Sequence, residues 1–339
     1  MDMQVSTLSR KILRALSDNS RITLTALSEK LGASRYMVKE RLVTLEKEFA
    51  LHYTIEPDYA KLGFTTPHVI RIKLEKKPKS SEIKELEALF SKSRAAQFVA
   101  LTEGDFDMLI FALAKTSTEY IRWETSLDLI LSKYGVAARM SEVNTMHLGF
   151  IPIDSATIEA SSIEPIFKTL LIALNQNSRA SLRELSRKLG KSDALTNYYM
   201  RRLEKTGLIK RYTMIALKPP FNYNIAYFAN YTVRSGVLGR VNRERRTMYW
   251  RKLDEFPVFN EFPIMWSTTG SYRSFTWALY DNYKEGLDHS VRAHEQIYKE
   301  DKAKIEYVIV KRVLKGAAPI RNVDQRASYA LIDWDAELI

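Results

Sequence analysis

Two short stretches of this chain concentrate side chains able to engage a polyanion. The first holds Ser34, Arg35, Tyr36, Lys39 and Arg41 within about two helical turns. A serine ahead of a helix caps its free N–H groups. Arginine can donate two hydrogen bonds to a guanine edge, and lysine can neutralise a phosphate. The second stretch holds Lys191, Ser192, Asn197, Tyr198 and Arg201, with Asp193 where the first has arginine and Thr196 where the first has the apolar Val38. An acid beside phosphate is unfavourable. The first stretch is therefore expected to carry more of any base recognition, and the second to read a different half-site or mainly to hold phosphates. The densest basic run, Arg240–Lys252, reads as an exposed helix face, as a further phosphate-contacting surface or as a contact for a partner protein.

Other chemistries find little support. The five histidines form no metal constellation, and His289 and His294 are spaced so that they do not share one helix face. With no cysteine in the chain, disulfides, thiol catalysis and cysteine-based zinc sites are excluded. Neither a G-x-G-x-x-G, a Walker loop nor a G-x-S-x-G motif occurs. No catalytic residue, metal or cofactor is expected.

The elements around the first stretch follow from local pattern. Leu8, Ile12, Leu13 and Leu16 recur at helical spacing. Thr23 can cap a second helix carrying Leu24, Leu27 and Leu31, which Gly32 ends by tolerating positive φ. Ser34 then caps a third helix whose inner face is Val38, Leu42 and Leu45. Three short helices with a tight glycine turn between the second and third make a helix-turn-helix. The segment His52–Ile55 can supply a short wing.

The chain repeats this unit. The segment from Leu16 and the segment from Leu174 share roughly 14 of about 32 ungapped positions, about 158 residues apart, which is a duplication of domains. Asn19/Asn177, Arg21/Arg179, Gly32/Gly190 and Ser34/Ser192 are among the shared pairs, and Tyr53-Thr54 matches Tyr212-Thr213 after one gap. Each unit is followed by strand-like and helix-like runs in the order β-α-β-β-α-β, the ferredoxin-like arrangement. In the first half the strands are His68–Leu74, a run ending at the Gly104-Asp105-Phe106 turn, Met108–Ala114 and Val136–Met146. In the second half they are Ile225–Val233, a run ending at Gly270-Ser271-Tyr272, Ser274–Tyr280 and Glu306–Val313.

The expected fold is thus α+β, with winged helix-turn-helix domains alternating with ferredoxin-like domains, duplicated. The expected boundaries are residues 1–60 and 61–153 for the first pair, 154–164 for a small, polar, acidic linker, 165–218 and 219–315 for the second pair, and 316–339 for a C-terminal extension. Trp250, Trp266, Trp277 and Tyr280 read as core or interface aromatics rather than stacking platforms. A length of 339 residues requires several domains, and 45% hydrophobic content is enough to give each a core. A net charge of +12 attracts polyanions. No signal peptide or membrane-spanning run is read from the sequence, and the expected compartment is the cytoplasm.

The segments KILRALSDNSRITLTALSEKLGASRYMVKERLVTLEKE and HYTIEPDYAKLGF resemble the DNA-binding domain of the Lrp/AsnC family of regulators. VALTEGDFDMLIFALA resembles that family's effector-binding domain. The second half is similar from Phe167 to Thr213 and more loosely beyond. The resemblance implies a sequence-specific transcription regulator of double-stranded DNA. It also implies a small-molecule effector such as an amino acid, bound near Gly104, Asp105 and Asp107, and pairing through the ferredoxin-like domains. Two copies in one chain allow that pairing to occur within the molecule, as a pseudo-dimer with unlike readers, or between whole chains as a homo-oligomer. The alternatives are a siroheme-decarboxylase-like enzyme of similar two-half architecture and an architectural protein that coats DNA without sequence preference.

Overall fold

A computed structural model describes residues 7–144, 152–218, 223–231, 264–269, 274–280 and 303–317. The first half runs α1 (Thr7–Asp18), α2 (Leu24–Leu31), α3 (Arg35–Glu48), β1 (Leu51–Pro57), β2 (Thr66–Leu74), α4 (Ser80–Ser91), β3 (Ala96–Gly104), β4 (Met108–Ala114), α5 (Ser117–Leu131) and β5 (Val136–Asn144). The short helix α6 (Ser155–Glu159) follows. The second half runs α7 (Pro165–Gln176), α8 (Leu182–Leu189), α9 (Asp193–Thr206), β6 (Ile209–Ala216), β7 (Tyr223–Tyr231), β8 (Ile264–Thr269), β9 (Ser274–Tyr280) and β10 (Ala303–Lys315).

Each three-helix unit closes over its own apolar stripe. Ile12, Leu13 and Leu16 of α1 pack with Leu27, Val38 and Leu45, all essentially inaccessible to water. In the second unit Phe167, Leu170, Leu171 and Leu174 of α7 pack with Leu185, Met200 and Leu203. Burying each such side chain contributes about 1.5–3 kcal/mol, enough to hold helices too short to persist alone.

The wing differs from the sequence expectation. His52–Ile55 does not fold back as a local wing; it lies in β1, which pairs antiparallel with β6 of the other half, from Leu51↔Ala216 to Glu56↔Arg211. Each unit donates one strand, and the ribbon is complete only when both halves meet. Thr54 pairs with Thr213, its own repeat equivalent, so a pseudo-twofold axis passes between them. Contacts around that axis come in reciprocal sets. The Ser20 and Ser178 hydroxyls meet at 2.6 Å. Ser20 N donates to Tyr212 O at 2.9 Å, and Ser178 N donates to Tyr53 O at 3.0 Å. The Arg21 guanidinium lies 5.0 Å from the Tyr212 ring centroid, and that of Arg179 lies 4.1 Å from the Tyr53 centroid. Tyr53 donates to Glu46, and Tyr212 donates to Glu204. Burial, followed by the carboxylate each phenol faces, pushes both tyrosines well above the usual range.

The ferredoxin-like strands close into one eight-stranded barrel in the order β10-β3-β4-β2-β5-β8-β9-β7. Each half contributes a four-stranded sheet, and the two join at both edges. The β10–β3 seam runs from Val308↔Gly104 to Lys315↔Val99, and the β5–β8 seam includes Val143↔Thr269. Closure removes the edges that an open sheet would expose. It also explains why β4, MLIFALA, is buried at every position. Ile70, Met108 and Ile110 face the helices with Leu86, Phe90 and Leu127. Val69, Leu109, Phe98 and Phe111 lie on the opposite face, in a core continuous with that of the first helix-turn-helix. On the same face as Val69, the fully buried Arg71 reaches Glu306 of the other half at 3.1 Å, its guanidinium 5.0 Å from the Phe106 ring centroid. Such an ion pair fixes which partner and register are compatible more than it adds net stability.

The segment 154–164, expected to link the two halves, is anchored. Asp154 caps α6 by accepting from Thr157 N at 2.8 Å. Ile153, Thr157 and Ile158 are buried, and the Gln97 amide donates to Thr157 Oγ1 at 2.9 Å. Lys315 of β10 donates to Asp154 at 2.9 Å. Pro165 occupies the first turn of α7. Arg240–Lys252, the Gly270-Ser271-Tyr272 turn, Trp250, His289, His294 and residues 318–339 lie outside the described residues.

Candidate nucleic-acid interface

Local backbone chemistry fixes both turns. Thr23 Oγ1 accepts from Ala26 N at 3.2 Å to start α2. Gly32 ends that helix at φ 60°, a left-handed conformation glycine adopts at least cost. Ser34 then starts α3, its Oγ accepting from Met37 N at 3.2 Å. The second unit repeats the device. Ser181 caps α8, with Glu184 closing a reciprocal capping box. Gly190 sits at φ 63°, and Ser192 Oγ accepts from Leu195 N at 3.3 Å to start α9.

Burial of Val38 and Leu45 turns the other side of α3 outward. Ser34, Arg35, Tyr36, Lys39 and Arg41 are all exposed. The Tyr36 hydroxyl donates to Glu40 at 2.6 Å, and that hydrogen bond raises the Tyr36 pKa above its ordinary value. Glu40 is thereby engaged along the helix, while the cations of Arg35, Lys39 and Arg41 project into solvent. A row of guanidinium and ammonium groups at a serine-capped helix N-terminus can both donate to base edges and bind phosphate.

On α9 and its approach, Lys191, Ser192, Tyr198 and Arg201 are exposed, but Asn197 is half-buried. Asp193 stands at the first helical position. Tyr199 is partly buried against the core, its ring edge-on to Tyr198 at 5.5 Å. Thr196 is fully buried in the place of Val38, and its hydroxyl finds no hydrogen-bond partner among the described residues.

The hairpin residues singled out in the sequence do not stand together as free ligands. Gly104 takes φ 121°, and Asp105 is exposed. Asp107 is 4% exposed, and its carboxylate accepts from Leu74 N at 3.0 Å, with the ammonium groups of Lys73 at 3.4 Å and Lys77 at 3.8 Å. Its main role in this geometry is to tie β4 to the end of β2. Among the described residues no group of three His, Asp or Glu side chains is placed to hold a metal.

Two features escaped sequence reasoning. The Arg21/Arg179 and Tyr53/Tyr212 identities were visible in the repeat, but their swapped pairing across the axis was not. The basic face of α8, with Arg183, Arg187 and Lys188 exposed, carries no signal in the sequence that sets it apart from an ordinary solvated helix face.

The sequence pattern of the AsnC-type helix-turn-helix domain matches residues 7–46, and that of a winged helix-turn-helix DNA-binding domain matches residues 168–210. Among known proteins, the chain is similar to an uncharacterized HTH-type transcriptional regulator of Pyrococcus furiosus. The two are 27% identical over 135 residues, which cover 40% of this chain and 86% of that one. A second such regulator, from Pyrococcus horikoshii, is 29% identical over 111 residues, 32% of this chain and 73% of the relative. The crystal structure of the siroheme decarboxylase NirDL aligns over 96% of this chain and 98% of its own, with a TM-score of 0.52 and 12% identity. At that identity the likeness is one of fold: two helix-turn-helix and ferredoxin-like halves in succession.

Proposed function

We propose that this chain, built from two Lrp/AsnC-type helix-turn-helix and ferredoxin-like halves, is a sequence-specific double-stranded DNA-binding transcription regulator. The observation that carries the reading is the outward face of α3. Its cations Arg35, Lys39 and Arg41 stand exposed opposite the buried Val38 and Leu45, inside the segment that matches the AsnC-type domain. In this reading Ser34, Arg35, Tyr36, Lys39 and Arg41 contact DNA from the first unit, and Lys191, Ser192, Asn197, Tyr198 and Arg201 from the second.

The shared β1–β6 ribbon supports a mechanism in which one chain acts as a pseudo-dimer. It sets α3 and α9 in symmetric positions about one axis, while their side chains differ. A protein of this kind prefers half-sites about one helical turn apart, or a multiple of it, with unlike sequences. A small-molecule effector such as an amino acid is proposed near the Gly104–Asp107 hairpin, close to the β10–β3 seam that joins the halves. No helix among the described residues is long and apolar enough to cross a membrane, and the proposed compartment is the cytoplasm.

The test is the double substitution Arg35→Ala with Lys39→Ala, measured by gel-shift titration on a duplex selected from a random pool by the wild-type chain. Losing one base-edge contact costs about 1–3 kcal/mol, so the pair should weaken binding at least tenfold while circular dichroism stays unchanged. Unchanged affinity in a folded variant refutes α3 as the reader. The enzymatic alternative is separated by an absorbance titration with siroheme: a saturable, stoichiometric spectral shift favours it, and an additive spectrum counts against it.

A further inference from the structure

Resting on the proposed DNA binding, we infer that the two helix-turn-helix units divide the work on one duplex: α3 of the first reads bases, whereas the second grips the phosphate backbone through Arg183, Arg187 and Lys191. Equivalent positions of the repeat carry different charges in the two units. Three exposed cations of the first reading helix have lost their charge in the second. Arg35 is matched by Asp193, Lys39 by the half-buried Asn197, and Arg41 by Tyr199, which packs against the core. On α8 and the turn after it, three positions that carry no cation in the first unit carry one in the second, while on α9 Arg201 and Arg202 replace Val43 and Thr44 past the middle of the helix, away from its N-terminal reading end. Thr25 is matched by Arg183, Glu29 by Arg187, and Ala33 by Lys191, and all three cations are exposed.

The charges gained ahead of α9 do not sit where bases are read. Arg183 and Arg187 lie on α8, on the side away from the buried Leu185, and Lys191 lies in the turn before α9. The first helix of such a motif crosses the backbone, whereas the second enters the groove. One acid shares α8 with them: Glu184 stays ionised beside Arg187 and Lys188 and offsets part of their charge, leaving a net positive face. The Glu184 carboxylate accepts from Ser181 N at 2.7 Å and from Ser181 Oγ at 2.8 Å, and those hydrogen bonds lower its pKa. Two further cations of this region have duties inside the protein. Lys188 donates to Gln176 Oε1 at 2.9 Å, and Arg179 covers Tyr53. What remains is a set of solvated cations beside a helix whose own start, at Asp193, repels anions. That pattern suits the uniform negative charge of a backbone and not a base-edge code.

Salt dependence separates the two roles. The full-length chain is titrated against a duplex selected from a random pool by the wild-type protein and against an unselected random duplex, over a range of salt. The variant Arg183→Gln/Arg187→Gln/Lys191→Gln is expected to weaken on both duplexes by the same factor, leaving their ratio intact. Each lost phosphate contact lowers the slope of log K against log salt by about 0.9, so three contacts lower it by about 2.7. The variant then loses roughly 40-fold less affinity than the wild type between about 50 and 200 mM salt. Arg35→Gln/Lys39→Gln is expected to collapse the ratio between duplexes. Unchanged slope and affinity in the triple variant overturn the division of labour, as does a triple variant that loses the ratio instead. A wild-type chain that binds neither duplex removes the regulator reading itself, a result distinguishable from both.

Discussion

The repeat supplies an internal control at one core position. Val38 and Thr196 are equivalent, both fully buried, and differ by exchange of a methyl for a hydroxyl. The Thr196 hydroxyl finds no hydrogen-bond partner among the described residues. A buried hydroxyl without a partner costs about 1–3 kcal/mol relative to one left in water. Thr196→Val keeps the shape of the side chain and removes that cost. It should stabilise the second helix-turn-helix by about 1–2 kcal/mol. Val38→Thr, the reverse change in the other unit, should destabilise the first by a similar amount. Because a chain of several domains need not unfold in one step, the proper assay is local: native-state amide hydrogen exchange on the core amides of α9 and α3. A gain of about 1.4 kcal/mol slows exchange about tenfold. Amides of α9 should therefore slow in Thr196→Val while those of α3 hold, with the mirror result in Val38→Thr. Faster exchange of α9 in Thr196→Val would show that the hydroxyl is satisfied in solution and that the reasoning is wrong.

Two further outcomes follow from buried groups. His68 stacks on Tyr120 with ring centroids 3.5 Å apart, and burial lowers its pKa to about 4. Since the unfolded chain takes up this proton near pH 6.5 and the folded chain does not, stability should fall as pH drops from about 6.5 to about 4, by up to about 3 kcal/mol. His68→Phe should flatten that part of the stability profile in urea titrations across pH, and an unaltered profile refutes the assignment. At the ribbon, Arg179 holds Tyr53 at 4.1 Å, lies 3.8 Å from Glu46 and donates to Ser20 O, whereas Arg21 lies 5.0 Å from Tyr212. Arg179→Met should therefore speed exchange of the β1–β6 amides more than Arg21→Met does, and equal effects contradict the unequal contacts.

What the sequence made legible was local or repeated. Ser34, Gly32 and their equivalents carry their own backbone instructions, so the turn and the start of α3 and α9 follow from residue type alone. The duplication was visible because the same caps and apolar stripe recur. The partner of β1 was not, because it lies in the other half of the chain and nothing near His52–Ile55 names it. The barrel closure was hidden for the same reason, although the unbroken apolar run of β4 already carried the signal of a strand covered on both faces. The segment 154–164 looked like a linker from its composition. Thr157 nevertheless buries there, because the Arg94 carbonyl and the Gln97 side chain offer partners that only the fold brings near, and Ile158 joins the core of Phe167 and Leu170. Asp107 was expected beside a small-molecule effector, but its alternation with exposed Asp105 points it inward to Leu74 N. The candidate DNA-contacting residues were readable on α3 because buried and exposed positions alternate with the helical period. On α9 the same period left Asn197 half-buried and Tyr199 packed in, which reduces what that helix can offer a groove.

The proposed function requires one chain to place two unlike helix-turn-helix units on a single duplex. Selecting duplexes from a random pool with the full-length protein, and footprinting the winners, tests this most directly. The expected result is one sharply specified half-site, with a neighbouring segment about one helical turn away, or a multiple of it, that is protected yet tolerant of sequence. Recovery of a palindrome with two equally specified half-sites would contradict it.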